Sequence, residues 1–250
     1  MEMQMPRLTF LPALMLVGLA LVPAGCSQGA ERHGTESDST APQDWGSLKN
    51  FTGIDATGPD DVIITIGSGF SVKAEGDPKV LQRLDIRVDG DTLEIGRKKR
   101  FGLGWSEGNG ATIRVTLPRL DDISLTGSGD VEVDKAEGAS LEAELTGSGN
   151  LKVGAAKVGT LDAEITGSGD LSMGGTAETA EVSVTGSGNF AGKGLHVRRA
   201  KVSILGSGNS DFASDGPVDI SIMGSGNVTV KGRAQCKSSV MGSGEARCAP

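Results

Sequence analysis

The sequence predicts an all-β protein: a β-solenoid (parallel β-helix-like) of about 18–20-residue coils with Gly-Ser-Gly corners. Three observations carry this. The stretch Gly-Ser-Gly-Asp/Asn starts at Gly127, Gly147, Gly167, Gly186, Gly206 and Gly224 and ends as Gly242-Ser243-Gly244-Glu245, so the first glycines lie 20, 20, 19, 20, 18 and 18 residues apart. Ahead of each motif the chain alternates. Leu125, Leu145, Ile165, Val184, Ile204, Ile222 and Val240 stand two before the first Gly, and Ser124, Glu144, Glu164, Ser183, Ser203, Ser221 and Ser239 stand three before. That is a strand with an apolar inner and a polar outer face. Finally, the 250 residues include 39 Gly, no Tyr, and only 3% aromatics, so Val, Leu, Ile and Ala must fill thin layers between sheets.

The chain opens on an apolar run, residues 8–22, followed by small residues and Cys26. This is the pattern of a secretory signal, too short for a stable membrane span. Pro23-Ala24-Gly25-Cys26 resembles a bacterial lipobox, with Pro23 departing from the usual Leu. The expectation is a lipoprotein signal peptide over 1–25, lipidation at Cys26, and a disordered polar tether over 26–46. Ser27 after the cysteine resembles outer-membrane sorting in Gram-negative bacteria, so the predicted location is that envelope, periplasmic or surface-facing. The net charge of -8 disfavours nucleic acid, because neutralising phosphates requires Lys and Arg.

The folded domain is expected over 47–250, with an irregular N-terminal part and cap over 47–110 and regular coils over 111–250. Val62, Ile64 and Ile66 mark a strand, and Gly67-Ser68-Gly69-Phe70 looks like a degenerate first copy of the motif. Asp77–Leu84 starts with Pro78 just inside and carries Val80, Leu81 and Leu84 on one side, which suits one or two helical turns. Ile86–Val88, Asp89-Gly90 and Leu93–Ile95 form strand, turn, strand. Residues 97–110 then place four bases beside Phe101, Leu103 and Trp105. Arg97, Arg100, Phe101 and Trp105 are a candidate ligand loop, since aromatic faces suit sugars and cations. Alternatively, Phe101 and Trp105 fold over the open end of the solenoid as a cap.

Each regular coil is expected to run strand, Gly-Ser-Gly corner, strand, variable corner; Asp134–Ser140 and Gly174–Thr179 are variable corners. Two glycines let the backbone turn sharply and let coils approach closely. The fourth motif position runs Asp130, Asn150, Asp170, Asn189, Asn209, Asn227, a ladder in which no two Asp are adjacent. No metal, cofactor or phosphate site is predicted: the repeats lack the calcium nonapeptide pattern, and Gly-Ser-Gly lacks the Lys-Ser/Thr of a phosphate loop. With Cys26 set aside, Cys236 and Cys248 form an even pair in an oxidising compartment. They stand six before and six after Gly242 with inward parity, and a disulfide is expected to staple the last coil.

Phe51-Thr52-Gly53-Ile54, Asp61-Val62, Ala74–Asp77, Val88–Ile95 and the serial Leu-Thr-Gly-Ser-Gly-Asp/Asn-Leu/Val together resemble the bacterial GIN-domain family, "putative auto-transporter adhesin, head GIN domain". The resemblance covers roughly residues 47–248. It implies a β-solenoid in an exported, often lipid-anchored protein, and brings no catalytic residues.

The function expected is a non-enzymatic, lipid-anchored envelope protein, adhesin-like, binding or scaffolding surface polymers or proteins, with a glycan or an envelope protein as partner. One rival is a β-helix enzyme acting on polysaccharide. Glu142, Glu144, Asp162 and Glu164 lie outward on equivalent strands of adjacent coils, as paired carboxylates for acid–base work or as a solvated face. His196 beside Arg198 and Arg199 is the one histidine of the folded part, and it is not assigned to catalysis. The other rival is a periplasmic assembly or stress scaffold.

Overall fold

The computed structural model describes residues 45–98 and 110–249. The expected signal segment, Cys26 and most of the expected tether, together with Arg100, Phe101 and Trp105, lie outside the described residues. What is described is a β-solenoid, as the 18–20-residue period predicts.

The first strands are β1 (Gly53–Gly58), β2 (Asp61–Ile66) and β3 (Ser71–Glu75), followed by the short helix α1 (Pro78–Leu81) and the hairpin β4 (Leu84–Asp89) and β5 (Thr92–Arg97). Strands β6 (Thr112–Leu117) and β7 (Asp122–Gly127) lead into four long ones, β8 (Asp130–Gly147), β9 (Asn150–Gly167), β10 (Asp170–Gly186) and β11 (Asn189–Gly206). Then come β12 (Asn209–Ser214), β13 (Pro217–Gly224), β14 (Asn227–Lys231), β15 (Gln235–Gly242) and β16 (Glu245–Ala249). From β7 onward every pairing is parallel, and the corner glycines stack in register through Gly127, Gly147, Gly167, Gly186, Gly206, Gly224 and Gly242.

The variable corners differ from the expectation. In β8 and β9 the ladder continues through Lys135↔Ala155, Ala136↔Ala156 and Glu137↔Lys157, so the strand bends there without leaving the sheet. Stacking explains it: a bend shared by neighbouring coils keeps every backbone donor and acceptor paired, as a buried or half-buried backbone requires.

Two different constraints fix the Gly-Ser-Gly corner. Its first glycine has φ between +120° and +139° in every copy, a region that L side chains rarely adopt. The second has ordinary φ but points inward, where a Cβ on Gly149 would overlap the Gly129 carbonyl oxygen one coil away. The carbonyl of Gly127 accepts the N–H groups of both Ser148 (2.9 Å) and Gly149 (3.1 Å), and the same pair of bonds recurs at each later corner.

Position four forms the expected ladder. Asn150 donates its backbone N–H (3.1 Å) and its side-chain amide (2.8 Å) to Asp130 Oδ1, and Asn189 does the same to Asp170 Oδ1. The series continues through Asn209 on Asn189 and Asn227 on Asn209. The structure corrects where it starts. The first corner is Gly58-Pro59-Asp60-Asp61, because Gly58 pairs with Gly127 and shares its positive φ. Gly67-Ser68-Gly69 is instead the reversal into antiparallel β3. Asp61 and Asp130 are therefore adjacent acids after all, with Asp130 N–H donating to Asp61 Oδ1 at 3.0 Å.

The core is one continuous apolar column of inward side chains, from Phe51 and Ile54 to Val228 and Val230. Its layers compensate in volume. Phe190 is fully buried beside Ser210, and a Cβ on Gly192 would press on the Phe190 ring, the Phe212 Cβ and the Asp211 carbonyl oxygen. The N-terminal end is covered. β3 pairs antiparallel with β6 and β4 antiparallel with β5, and Val72, Val80, Leu84 and Ile86 are buried over the first layers. Asp77 caps α1 by accepting the Lys79 N–H at 2.8 Å.

Candidate functional site

The change in coil length places the site. Between the pairs Ala191↔Asp211 and His196↔Ala213, β11 spends four residues where β12 spends one. The β11 corner therefore stands proud of the shorter coil that follows. That coil turns at Asp215-Gly216 before Pro217 opens β13. Gly216 is required there, because a Cβ would overlap the Arg198 carbonyl oxygen. The step leaves an open groove of about 730 Å³. β10 supplies Glu178 and Thr179, β11 supplies His196, Arg198 and Arg199, the bend supplies Asp215 and Gly216, and β13 supplies Pro217.

The groove is held by charge pairs across coils. Arg198 Nη1 donates to Glu178 Oε2 at 3.0 Å. His196 Nε2 lies 3.3 Å from Asp215 Oδ2, and the Arg233 backbone N–H donates to Asp215 Oδ1 at 2.9 Å. That backbone bond, with His196 and the Arg233 guanidinium behind it, holds the Asp215 carboxyl below the usual carboxylate range. Arg199 has no acidic partner among the described residues.

A second feature lies on the flat face before the Gly-Ser-Gly corner. Asp122, Glu142 and Asp162 form one outward column, and Asp55, Ser124, Glu144 and Glu164 form the next. Partial burial, then Glu142 and Glu144, push the Asp122 carboxyl up to about 6. Burial, then Glu142 and Glu164, push Glu144 up as well. Among the described residues no group of three or more His, Cys, Asp or Glu could hold a metal ion. The carboxylates repel one another along the ladder rather than converging on a point.

The residues singled out in the sequence fall as follows. Arg97 is committed to the fold: its Nε and Nη2 donate to Asp60 Oδ2 (2.8 Å) and Oδ1 (2.6 Å), and the Ala111 N–H donates to the same Oδ1 at 2.7 Å. Asp60 sits where later corners have their second, inward glycine, so this ion pair closes the interior at that end. Arg100, Phe101, Trp105 and Cys26 lie outside the described residues. Among those described, the end is covered by β3, α1 and β4. Cys236 and Cys248 are joined by a disulfide with Cα atoms 6.6 Å apart. His196, Arg198 and Arg199, noted only for their proximity, do share one groove. Glu178, Asp215 and Gly216 were missed, although the fall in motif spacing from 20 to 18 marks the step that gathers them.

Among solved structures the chain is similar to a "putative adhesin" from Bacteroides fragilis, at 22% identity and a TM-score of 0.70, covering 81% of this chain and 93% of that one. It is also similar to a "Putative lipid binding protein" from Parabacteroides distasonis (23% identity, TM-score 0.66, 80% and 93% covered). A "putative adhesin" from Parabacteroides merdae gives 20% identity and a TM-score of 0.63, with 80% and 92% covered. At these identities the likeness shows the shared fold. No curated protein matches the chain. The family described as "Putative auto-transporter adhesin, head GIN domain" matches residues 50–234, and the chain belongs to it.

Proposed function

We propose that this chain is a non-enzymatic, adhesin-like binding module of a Gram-negative cell envelope, anchored by lipid at Cys26. The solenoid then acts as a rigid spacer, and the charged groove between β10, β11 and β13 is its contact point. The observation that carries this reading is the groove. Its carboxylates and its histidine are spent on neighbours, Glu178 on Arg198 and Asp215 on His196, which suits holding a polar ligand rather than moving a proton. Membership of an adhesin-like family supports a surface or envelope setting.

The test has two parts. Metabolic labelling with a radioactive fatty acid should mark the chain expressed in a Gram-negative host, and Cys26→Ser should abolish the label. Purified protein should bind intact cells or extracted envelope polymers without releasing fragments from them. Release of oligosaccharide at a steady turnover would overturn the non-enzymatic reading.

A further inference from the structure

We infer that the groove is a binding site for an acidic saccharide, with the Arg199 guanidinium as receptor for its carboxylate or sulfate. This rests on the adhesin-like reading and names the ligand class of that same site. The first support is charge. Arg198 is matched by Glu178, and His196 and Arg233 by Asp215, while Arg199 lines the groove with no acidic partner among the described residues. In a chain of net charge -8 the lining of this corner is balanced, Arg198 and Arg199 against Glu178 and Asp215, and Arg233 beside Asp215 adds a further cation. An unmatched guanidinium presents a planar fork of donors that fits carboxylate or sulfate.

The second support is polarity. A column of hydroxyl residues, Ser140, Thr160 and Thr179, runs along the coils in register and ends at Arg199. Hydroxyls in line with a guanidinium suit a polyhydroxylated chain that carries acid groups. Pro217 is the one apolar side chain of the lining.

The third support is what the groove withholds from a peptide. Its backbone is paired coil to coil at Ala177↔Val197, Thr179↔Arg199 and Val197↔Ser214, and pairing resumes at Ala200↔Val218, so between them only Arg198 and Arg199 face the next coil without a ladder partner, too short an edge for an added strand. Extended peptides are held by a strand-length edge or by apolar pockets for alternate side chains, and this groove has neither.

The test is titration of the full acylated chain in detergent with four probes: an oligogalacturonate, a heparin-derived sulfated oligosaccharide, an uncharged cello-oligosaccharide and poly-glutamate. At least one acidic oligosaccharide should bind, more weakly as salt rises, and the two acidic arms identify carboxylate or sulfate. Arg199→Ala should weaken binding about tenfold or more, since charged hydrogen bonds are lost, and Arg199→Lys should restore part of it. Arg199→Gln serves as a second removal of charge, with an unchanged thermal midpoint required of each variant. Equal binding by the Arg199 variants, by the uncharged sugar or by poly-glutamate would overturn the assignment. If no acidic probe binds while the chain still adheres to intact cells, the ligand class is wrong and the adhesin-like reading stands. If the chain adheres to nothing, both fall.

Discussion

The two ends of the solenoid are finished by different physics. At the N-terminal end two antiparallel strands and a helical turn cover the stack, and a buried ion pair closes its interior, with Arg97 and Asp60 side chains 12% and 4% exposed. At the C-terminal end no described element covers the last coil. Val240 is 39% exposed and Met241 65%, and the outer edges of β15 and β16 have no strand beside them among the described residues. A covalent bond, Cys236–Cys248, takes the place of a neighbouring layer. A layered cap lowers the energy of the folded end by burial. A disulfide acts mainly by limiting what the unfolded end can do. The two ends should therefore fail differently.

The largest effect is expected at the covered end. Asp60→Ala removes the largely buried carboxylate that accepts from Arg97 and from the Ala111 N–H and should cost about 3–5 kcal/mol, seen as a lower urea midpoint. Asp60→Gly with Arg97→Leu, which restores the usual inward glycine and an apolar neighbour, should recover most of that. If the single and double variants unfold alike, the ion pair does not close this end. At the open end, Cys236→Ser with Cys248→Ser should cost about 3 kcal/mol. The loss should be local: faster hydrogen exchange over 235–249 with unchanged protection over 53–97.

A third experiment sets the middle of the rod against its end. Gly149→Ala and Gly244→Ala each drive a Cβ into a carbonyl of the preceding coil, Gly129 and Gly226 respectively. The inner coil is trapped between two neighbours and should lose up to about 3 kcal/mol, as overpacked sites do. The last coil can lift away and should lose roughly 1 kcal/mol or less. Equal losses by thermal melting would mean that the open end is as rigid as the interior.

The smallest effect concerns pH. The folded-state carboxyls of Asp122 and Glu144 titrate above their ordinary values, Asp122 at about 6 against 3.8. The folded chain thus binds more protons than the unfolded one between those values, and stability falls as pH rises from about 4 to 6. Solvent screening keeps the effect below about 1 kcal/mol. Asp122→Asn should flatten that slope and slightly stabilise the protein at pH 7. An unchanged slope in melts taken across this range would show that the acidic face does not couple to folding.

Much of this fold was legible because a repeat exposes its own register. Seven aligned copies separate inward from outward positions, so the strands, the Asp/Asn ladder and the inward parity of Cys236 and Cys248 follow from counting. The irregular part was less legible for a physical reason. Gly58-Pro59-Asp60-Asp61 occupies the first corner with neither serine nor second glycine, since an inward Asp60 serves there to meet Arg97. Gly67-Ser68-Gly69 copies the letters of the motif but not its backbone, since only Gly58 shares the positive φ. The groove depends on a difference between coils, and a reading that averages them passes over it. His196, Arg198 and Arg199 were visible as neighbours in the chain, whereas Glu178 and Asp215 reach them only through stacking.

The Asp/Asn ladder has a direction, and that limits how the gene can lengthen or shorten. Each asparagine rung donates its amide toward the N-terminus, onto Asp130, Asp170, Asn189 or Asn209, so an asparagine coil can follow either kind while an aspartate supplies no amide to the rung before it. Whole-coil duplication of an Asn150-type or Asn209-type unit keeps the series intact. Duplication of an Asp170-type unit alone sets acid on acid, an arrangement found here where Asp61 meets Asp130 by a backbone bond. The rod is thus extensible in steps of one coil, with a rule for which coil comes next written into a single side chain.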